Sequence, residues 1–492
     1  MLLAFHRRAC AVIARRLAGA GVALAAALLL AACGGGGDSA PPRPATAFTC
    51  GTQTATAAFH GWSATASLAP ACNAPPTSCH ASPATATCSQ AGGSWTLASG
   101  VAATYAITWD YAGGTDVAAG TADGGTVDVR STVANQVPLV VDAGPDEFPS
   151  INYNRLFVDV TVCLPGSATQ CATIDHVVVD TGSIGLRLFD SAAIDALGLP
   201  TAAVGGADVW SCQQFAATES WGSLKLADIR LGGEVAPSMS LQLMNDPAMP
   251  VPAACSGIGL LNTAQNYKAK GILGLKNSGI GIQQGGLTWS LCSGSGCRAA
   301  SAAEVAAIPN ITNPVASFGA DANGMAIQLP LVPANGATSI AGTMTFGIGT
   351  QADNALGSAT VLRTDGYTVR TLWQGTSYTS VLDSGTALNS LPAAPMLFCA
   401  GAITYCPTST QAFSAVLVGV DGSRSAVTFD VANYNELFAQ ATEPRALDDV
   451  AMQMDFPDAP VIWGLPFFFG RTVYIAYSGA PTPVGPGPFV AF

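Results

Sequence analysis

The sequence predicts an all-β protein with a few short helices, built as two similar lobes behind a small Cys-rich N-terminal region. Its composition, the spacing of its turns and one repeated motif lead to this prediction. Hydrophobic residues make up 49% of the chain and charged residues only 10%, with 54 glycines. Such a composition is typical of a β-rich exported protein rather than a helical cytosolic one.

Segments of strand length define the main body. From about residue 136, apolar stretches alternate with Gly, Pro, Asn and Asp turns almost to Phe492, a spacing that favours strands. Residues 156–162 and 176–179 are two of these strands. Helical stretches are few and short, and they are residues 190–197, 301–307 and 434–441.

Shifts in composition divide the chain into five parts. A Gly-, Pro- and Ala-rich stretch predicts a flexible tether, and the Cys-rich region after it has no legible role. The predicted parts are residues 1–32, a signal peptide; 33–48, the tether; 49–135, the Cys-rich region; 136–335, the N-terminal lobe; and 336–492, the C-terminal lobe.

The first 33 residues resemble a bacterial lipoprotein signal. Arginines precede an uncharged apolar run at residues 17–32, which ends in Leu-Ala-Ala-Cys33. The resemblance implies that Cys33 is acylated and becomes the mature N-terminus, and that an exported chain is anchored by its lipid, with the outer membrane favoured. The alternative is a simple secretory signal with an incidental cysteine.

The cysteines also favour export. Of the fourteen, Cys10 would leave with the signal and Cys33 would carry lipid, so twelve remain for disulfides in an oxidising compartment. Three pairs would each close a short loop: Cys163–Cys171, Cys292–Cys297 and Cys399–Cys406. A fourth pair, Cys212–Cys255, is proposed by elimination. The remaining four, whose connectivity stays open, are Cys50, Cys72, Cys79 and Cys88.

Charge and histidine content exclude some functions. The net charge is −12 and no basic run occurs, so nucleic acid is not an expected partner. No CxxC pair occurs, and the four histidines are His6, His60, His80 and His176, so neither a metal nor another cofactor is expected. With His176 alone beyond residue 80, a serine or cysteine hydrolase is also disfavoured.

One motif occurs twice, each time behind an apolar strand. The copies are Asp180-Thr181-Gly182-Ser183 and Asp383-Ser384-Gly385-Thr386. A single Asp-[Ser/Thr]-Gly is weak evidence, because it also suits an ordinary polar turn. Here the tripeptide occurs twice only, and an apolar-apolar-Gly segment follows each copy, at residues 271–275 and 461–468. Two such units predict two half-barrels related by a pseudo-twofold axis.

This paired pattern resembles the pepsin family of aspartic peptidases over residues 150–492. Residues 343–347 resemble the strand that links the lobes, and residues 471–477 and 484–490 resemble the closing strands. The resemblance implies a bilobal, pepsin-like double β-barrel with Asp180 and Asp383 as the catalytic carboxylates. The chain is also similar to a group of exported proteobacterial lipoproteins that carry the same Asp-Thr-Gly core behind a lipobox.

The resemblance also implies roles for the residues beside the aspartates. Those matching Thr181 and Ser384 bond to the opposite lobe, and those matching Ser183 and Thr386 bond the outer carboxylate oxygens. Gly182 and Gly385 let the backbone bring the carboxylates close together. Such a pair shares one proton, because both groups cannot ionise cheaply in contact.

Two departures from the family concern the flap that covers the cleft. Arg187 stands where the family has a tryptophan that supports the flap. The flap is expected at residues 212–221, and the family's flap tyrosine falls on Phe215, which has no hydroxyl group. These departures bear on efficiency and specificity more than on the fold.

The expected function is that of a membrane-anchored aspartic endopeptidase, in which the Asp dyad activates a water to hydrolyse a peptide bond. Its partners would be peptide or protein substrates and, through the lipid alone, a membrane; a monomer is expected. The alternative is a catalytically silent binding or adhesion lipoprotein on the same scaffold, because a fold alone does not fix a function.

We predict that Cys33 is acylated. A Cys33→Ser variant should lose its lipid, so it should no longer partition with membranes, and its processed mass should change. Membrane fractionation and mass spectrometry measure both properties. A variant that partitions with membranes at the wild-type processed mass would rule out acylation.

Overall fold

The computed structural model describes residues 44–492 apart from residues 60–63, 100–102, 132–134, 149–151, 216–217, 257–258, 262, 278–286, 295, 393, 395, 440–442, 444 and 455–459. The predicted signal peptide, Cys33 and most of the predicted tether lie outside the described residues. Within the described part, no helix combines the length and the apolar character needed to cross a membrane.

The N-terminal region consists of short strands in three small sheets. Its strands are β1 Cys50–Gly51, β2 Gln53–Phe59, β3 Ala64–Leu68, β4 Ala71–Cys72, β5 Ser78–Ser82, β6 Ala86–Ala91, β7 Ser94–Ser99, β8 Thr104–Tyr111 and β9 Gly120–Ser131. The sheets have the orders β1-β4, β2-β9-β8-β5 and β3-β7-β6. Alternate residues of β3 and β8 point into one core, where Trp95 packs edge-on against Trp109.

The last residues of the predicted tether contact the N-terminal region. Phe48 is 6% exposed and stacks on Tyr111, with 5.3 Å between the ring centroids. Thr46 pairs with Val117 in a parallel bridge. Burying an aromatic ring is favourable, so Phe48 is held against the N-terminal region, and the bounds of the tether stay a prediction.

The main body begins with strands of the N-terminal lobe. They are β10 Gln136–Val141, β11 Leu156–Cys163, β12 Cys171–Asp180, β13 Ile184–Phe189, β14 Ala203–Val204, β15 Ala207–Gln214, β16 Glu219–Leu231, β17 Glu234–Met244, β18 Gly271–Leu275, β19 Leu287–Ser293 and β20 Gly296–Ala299. β11 is buried along most of its length, which explains its nearly continuous apolar sequence.

The remaining strands complete the body. They are β21 Gly324–Leu329, β22 Ile340–Phe346, β23 Val361–Arg363, β24 Val369–Trp373, β25 Thr376–Leu382, β26 Asn389–Leu391, β27 Gln411–Val418, β28 Arg424–Val431, β29 Ala451–Gln453, β30 Val461–Trp463, β31 Arg471–Ala476 and β32 Phe489–Ala491. A seven-stranded sheet has the order β28-β27-β24-β25-β30-β26-β29. A sixteen-stranded sheet has the path β20-β19-β15-β16-β17-β13-β18-β12-β11-β10-β22-β21-β31-β32-β23, with β14 beside β15.

Short helices connect these strands. Among the described residues the α-helices are α1 Ala192–Asp195, α2 Ala264–Tyr267, α3 Ala302–Val305, α4 Tyr434–Phe438 and α5 Leu465–Phe468, and 3₁₀ turns occupy Ala253–Cys255, Pro314–Ser317 and Ala352–Asn354. The three helices expected from the sequence are present but shorter. Side chains of Ser191, Ser301 and Asn433 cap their N-termini, so the helices begin after these residues.

One strand arrangement is repeated in the two lobes. In the first lobe β12 pairs in parallel with β18, β18 in antiparallel with β13, and β13 in parallel with β17. In the second, β25, β30, β26 and β29 repeat this order and these directions. The predicted all-β, two-lobed, pepsin-like fold with a Cys-rich N-terminal region is thereby confirmed.

The two lobes share a sheet. β10 pairs with β22, β22 with β21, and β21 with β31, which comes from the end of the chain. Strands from both sides of the expected boundary at residue 335 therefore lie side by side. The predicted division of the chain into parts stays a prediction.

Within the part of the chain that the structure describes, six disulfides connect loops and hairpins. The four pairs expected from the sequence are all bonded: Cys163–Cys171, Cys212–Cys255, Cys292–Cys297 and Cys399–Cys406. The N-terminal region contains Cys50–Cys72, which joins β1 to β4, and Cys79–Cys88, which joins β5 to β6 and so ties two of its sheets together.

A buried asparagine fastens the N-terminal lobe to the C-terminal one. Asn154 is 1% exposed and has a positive φ of 47°, which asparagine tolerates better than most residues. Its Nδ2 donates to the carbonyl oxygens of Ala387 (2.9 Å) and Leu447 (2.7 Å), and its Oδ1 accepts from the backbone N–H of Leu447 (2.8 Å). Ala387 comes directly after the second Asp motif, so this contact also holds that loop.

We predict that Asn154→Ala lowers the free energy of unfolding by about 1–3 kcal/mol, because buried backbone groups lose their partners. Urea denaturation measures the change. Asn310 is exposed, so Asn310→Ala should change the same quantity by less than about 0.5 kcal/mol. Equal effects of the two substitutions would contradict the role given to Asn154.

Candidate active site

The two Asp turns face each other between the lobes. Asp180 is the last residue of β12, and Asp383 comes directly after β25. A Cβ atom on Gly182 would lie 2.7 Å from the carboxyl carbon of Asp383, and one on Gly385 would lie 2.8 Å from that of Asp180. Side chains do not fit at such distances, so glycine is required in both turns. The two carboxyl groups therefore lie close to each other, and the charge of Asp180 acts on Asp383.

Reciprocal hydrogen bonds lock the two turns together. The hydroxyl of Thr181 donates to the carbonyl of Leu382 (2.8 Å) and accepts from the backbone N–H of Ser384 (2.9 Å). The hydroxyl of Ser384 donates to the carbonyl of Val179 (2.7 Å) and accepts from the backbone N–H of Thr181 (3.2 Å). Both side chains are buried, so these bonds fix the separation of the turns in a region shielded from water.

Each carboxylate is held by its own turn. Asp180 accepts from the N–H groups of Gly182 (2.8 Å) and Ser183 (3.1 Å) and from the Ser183 hydroxyl (2.5 Å). Asp383 accepts from the Gly385 N–H (2.9 Å) and the Thr386 hydroxyl (2.7 Å). Oδ2 takes the hydroxyl bond in both cases, and that this is the outer oxygen of each carboxyl group stays a prediction. The pair can therefore accommodate one negative charge.

The pKa of Asp383 is raised well above that of an ordinary aspartic acid. Burial and, after it, the charge of Asp180 raise the pKa of Asp383 to about 7, although the Thr386 and Gly385 hydrogen bonds counteract part of the shift. At mildly acidic pH the pair consequently holds one proton and one negative charge. The two groups titrate together, so this state belongs to the dyad as a unit.

A buried cation lies beside the dyad. Arg187 is 1% exposed, and its guanidinium donates to the carbonyl of Ile184 (2.7 Å) and to Oε1 of Gln213 (3.0 Å). Burial lowers its pKa to about 10, while the charge of Asp180 raises it. The group stays charged at neutral pH and favours a negative charge on the dyad. Through Gln213 it also holds the hairpin on which a flap was expected.

The hairpin of β15 and β16 is held on both sides. β15 pairs with β19 as far as Gln213, β16 pairs with β17, and the disulfide from Cys212 to Cys255 adds a covalent tie. Phe215 begins the tip, and its backbone N–H donates to the carbonyl of Thr218 (2.7 Å). Residues 216–217, within the expected flap, lie outside the described residues.

Phe215 packs inward. It joins an apolar cluster with Phe189, Leu261 and Tyr267, and the Arg187 guanidinium lies 5.5 Å from its ring centroid. The charges of both aspartates act on the hydroxyl of Tyr267, so this cluster lies next to the dyad. That Phe215 covers the cleft stays a prediction.

His176 has other partners. Its Nδ1 bonds to Asp175 (2.6 Å) and its Nε2 to Asp142 (3.4 Å). Burial alone would lower its pKa, but the bonds to the two carboxylates outweigh burial and raise the pKa to about 9. A histidine that stays protonated at neutral pH and has both nitrogens engaged does not serve as a general base.

Sequence reasoning missed several residues around the dyad. Tyr267 on α2 and Lys276 directly after β18 both interact electrostatically with the two aspartates. Arg155 lies 4.2 Å from the Tyr267 ring centroid. No local motif marks these residues, because their proximity to the dyad depends on distant parts of the chain.

Fold and site together define a two-lobed protein of the pepsin type, in which two Asp turns meet between the lobes. The chain belongs to the family described as "Protein of unknown function (DUF3443)", whose sequence profile matches residues 131–492. Among solved structures, it is similar to the aspartic proteinase from Irpex lacteus, at 14% identity and a TM-score of 0.43, over 73% of this chain and 97% of that one. No curated protein matches the sequence.

We predict that Asp383→Asn stabilises the fold at neutral pH. The folded chain keeps a proton on Asp383 up to about pH 7, whereas an unfolded aspartic acid loses it at about pH 4. The wild type therefore loses stability as the pH rises through this window, and the uncharged variant does not. The variant's free energy of unfolding should exceed that of the wild type by about 2–4 kcal/mol at about pH 8 and match it at about pH 3.5.

Urea denaturation at the two pH values measures this difference. Asp146 is exposed, so Asp146→Asn serves as the control and should show no comparable dependence on pH. A variant at Asp383 that follows the wild type at both pH values would contradict the protonation assigned to the dyad.

Proposed function

We propose that this protein is a membrane-anchored aspartic endopeptidase that hydrolyses peptide bonds in peptide or protein substrates. The observation that carries the proposal is the contact of Asp180 and Asp383 in two mutually locked turns. A pair of carboxyl groups in contact is costly in a structural core. An arrangement that shares one proton between them is suited to acid–base chemistry.

The chemistry needs one charged and one protonated member of the dyad. The charged carboxylate takes a proton from a water whose oxygen attacks the scissile carbonyl carbon, and the protonated carboxyl donates its proton to the carbonyl oxygen. The C–N bond of the tetrahedral intermediate then breaks as the nitrogen takes a proton from one carboxyl group of the dyad, and a hydroxyl group of the intermediate gives its proton to the other carboxylate. The products are a carboxyl terminus and an amine, and no covalent enzyme intermediate forms.

Two features support binding of a peptide beside the dyad. The apolar cluster of Phe189, Phe215, Leu261 and Tyr267 offers a surface for an apolar side chain. Buried Arg187 favours the singly charged dyad. Because the proton on Asp383 is lost above about pH 7, activity should be higher at acidic than at neutral pH.

The lipid anchor is part of the proposal. An acylated Cys33 would place the protein on the exported side of a membrane, the outer membrane by the character of the signal. The six disulfides suit an oxidising compartment of this kind. The anchor would be the only membrane contact of a monomeric enzyme.

A second candidate is a catalytically silent binding protein on the same scaffold. The hairpin tip favours it, because Phe215 has no hydroxyl group and the hairpin is paired on both sides almost to its tip. Such a protein would retain peptides in the cleft without cleaving them. The two candidates differ in one measurement, which is the appearance of new peptide termini.

We predict cleavage of an unfolded protein, such as reduced casein, at about pH 4–6 and its inhibition by a statine-containing peptide. Asp180→Asn and Asp383→Asn should each lower the rate about 10²–10⁴-fold, because each removes one partner of the proton transfers. The appearance of new termini is measured by mass spectrometry.

Asp146→Asn is the control and should cleave at the wild-type rate. The urea midpoint of each Asn variant shows whether the fold is retained. Full activity in either variant would overturn the mechanism. A wild type that binds the statine peptide and never cleaves casein would instead favour the silent binding protein.

A further inference from the structure

Lys276 is a half-buried cation next to the dyad. It comes directly after β18, whose Gly274 lies opposite Asp180 in the sheet, and its backbone N–H donates to the carbonyl of Ser183 (2.9 Å). The charges of Asp180 and Asp383 both act on its ammonium group. Lys276 therefore extends from the strand that supports the first Asp turn.

The ammonium group is directed at the opposite lobe. Its Nζ lies 3.2 Å from the centroid of the Tyr367 ring, a cation–π contact. Tyr367 stands in a tight turn between β23 and β24, in which the backbone N–H groups of Asp365 and Thr368 each donate to the other residue's carbonyl, both at 3.0 Å. Tyr367 is 39% exposed as a residue, so the aromatic ring and the cation lie together where solvent reaches them.

Among the described residues, no carboxylate pairs with the ammonium group of Lys276. Within the described residues its Nζ forms no hydrogen bond, and no carboxylate lies within 4.0 Å of it, Asp365 of the facing turn included. By contrast, Lys225 and Lys270, two of the other three lysines, form ion pairs with carboxylates. A half-buried ammonium without such a partner is costly for stability alone.

We propose that Lys276 and Tyr367 form a subsite for an anionic group of the substrate, namely an Asp or Glu side chain close to the scissile bond. The ammonium would donate to the carboxylate, and the Tyr367 ring would hold the ammonium in place from its other side. This inference rests on the proposed function, because it takes the cleft to be a peptide site. It adds the substrate class, which is acidic peptides.

A purely structural role of Lys276 makes a different prediction. If the cation–π contact serves only to hold Tyr367 against the N-terminal lobe, removing the charge should lower stability and weaken every peptide equally. A subsite should instead discriminate between a carboxylate and an amide of the same shape. Discrimination between matched Glu and Gln peptides is therefore the decisive measurement.

The experiment uses statine peptides, which bind without being cleaved. Pairs of peptides differ only by Glu or Gln at one position flanking the statine, and each flanking position is tested in turn by calorimetry at about pH 5.5. At one position the wild type should bind the Glu peptide about tenfold more tightly. This preference should vanish at about pH 3, where the Glu side chain is protonated while Lys276 is still charged.

Three variants complete the test. Lys276→Met should abolish the Glu preference and leave the affinity for the Gln peptide within about twofold, and Lys276→Arg should retain the preference. Arg424 is exposed in the C-terminal lobe, so Arg424→Met is the control for loss of one positive charge. The urea midpoint of each variant monitors folding.

Equal binding of Glu and Gln peptides by the wild type at every position would overturn the subsite. The subsite would also be overturned if Lys276→Met bound the Glu and Gln peptides equally more weakly than the wild type does, or if the wild type bound neither peptide. The proposed function fails separately: a wild type that prefers Glu peptides but cleaves neither casein nor a Glu-containing substrate has the subsite without the peptidase activity.

Discussion

The close contact of two carboxyl groups is the constraint on which the rest of the structure depends. Each turn needs a glycine, because any side chain at Gly182 or Gly385 would collide with the aspartate of the other turn. The buried hydroxyls of Thr181 and Ser384 then hold the turns at this separation. Two lobes with the same strand arrangement follow, since a pseudo-twofold axis brings equivalent loops together. The shared sheet of β10, β21, β22 and β31 keeps that axis fixed.

Electrostatics around the dyad differ from those of the whole chain. The net charge is −12, yet the side chains that the structure places beside the aspartates include two cations. Arg187 is fully buried and bonded to neutral oxygens, so its charge is free to act on Asp180. Lys276 lies against an aromatic ring, and its ammonium group has no carboxylate partner among the described residues. A negative dyad and a negative ligand can thus coexist in one cleft, because each has a separate cation close by.

The sequence predicted those features whose cause is local or repeated. The Asp turns, their supporting strands and the disulfides across short loops all follow from residues within a few positions of one another, and the duplicated motif identified the two lobes. The features it missed depend on long-range packing. Asn154 bonds to Ala387 and Leu447, which lie 233 and 293 positions further along the chain. The connectivity of Cys50, Cys72, Cys79 and Cys88 depends on how the small sheets of the N-terminal region are arranged. Burial of Phe48 likewise needs a partner, Tyr111, far along the chain.

The disulfides stabilise individual regions of the molecule, whereas non-covalent contacts hold the two lobes together. All six disulfides join residues of one region: two lie in the N-terminal region, three between β11 and β20, and one in the C-terminal lobe. Among the described cysteines, no disulfide joins the N-terminal lobe to the C-terminal lobe. The alignment of the dyad therefore depends on the shared sheet, the Thr181–Ser384 lock and Asn154. Reduction should loosen the hairpins, above all the one tied by Cys212–Cys255 near the dyad, before it separates the two aspartates.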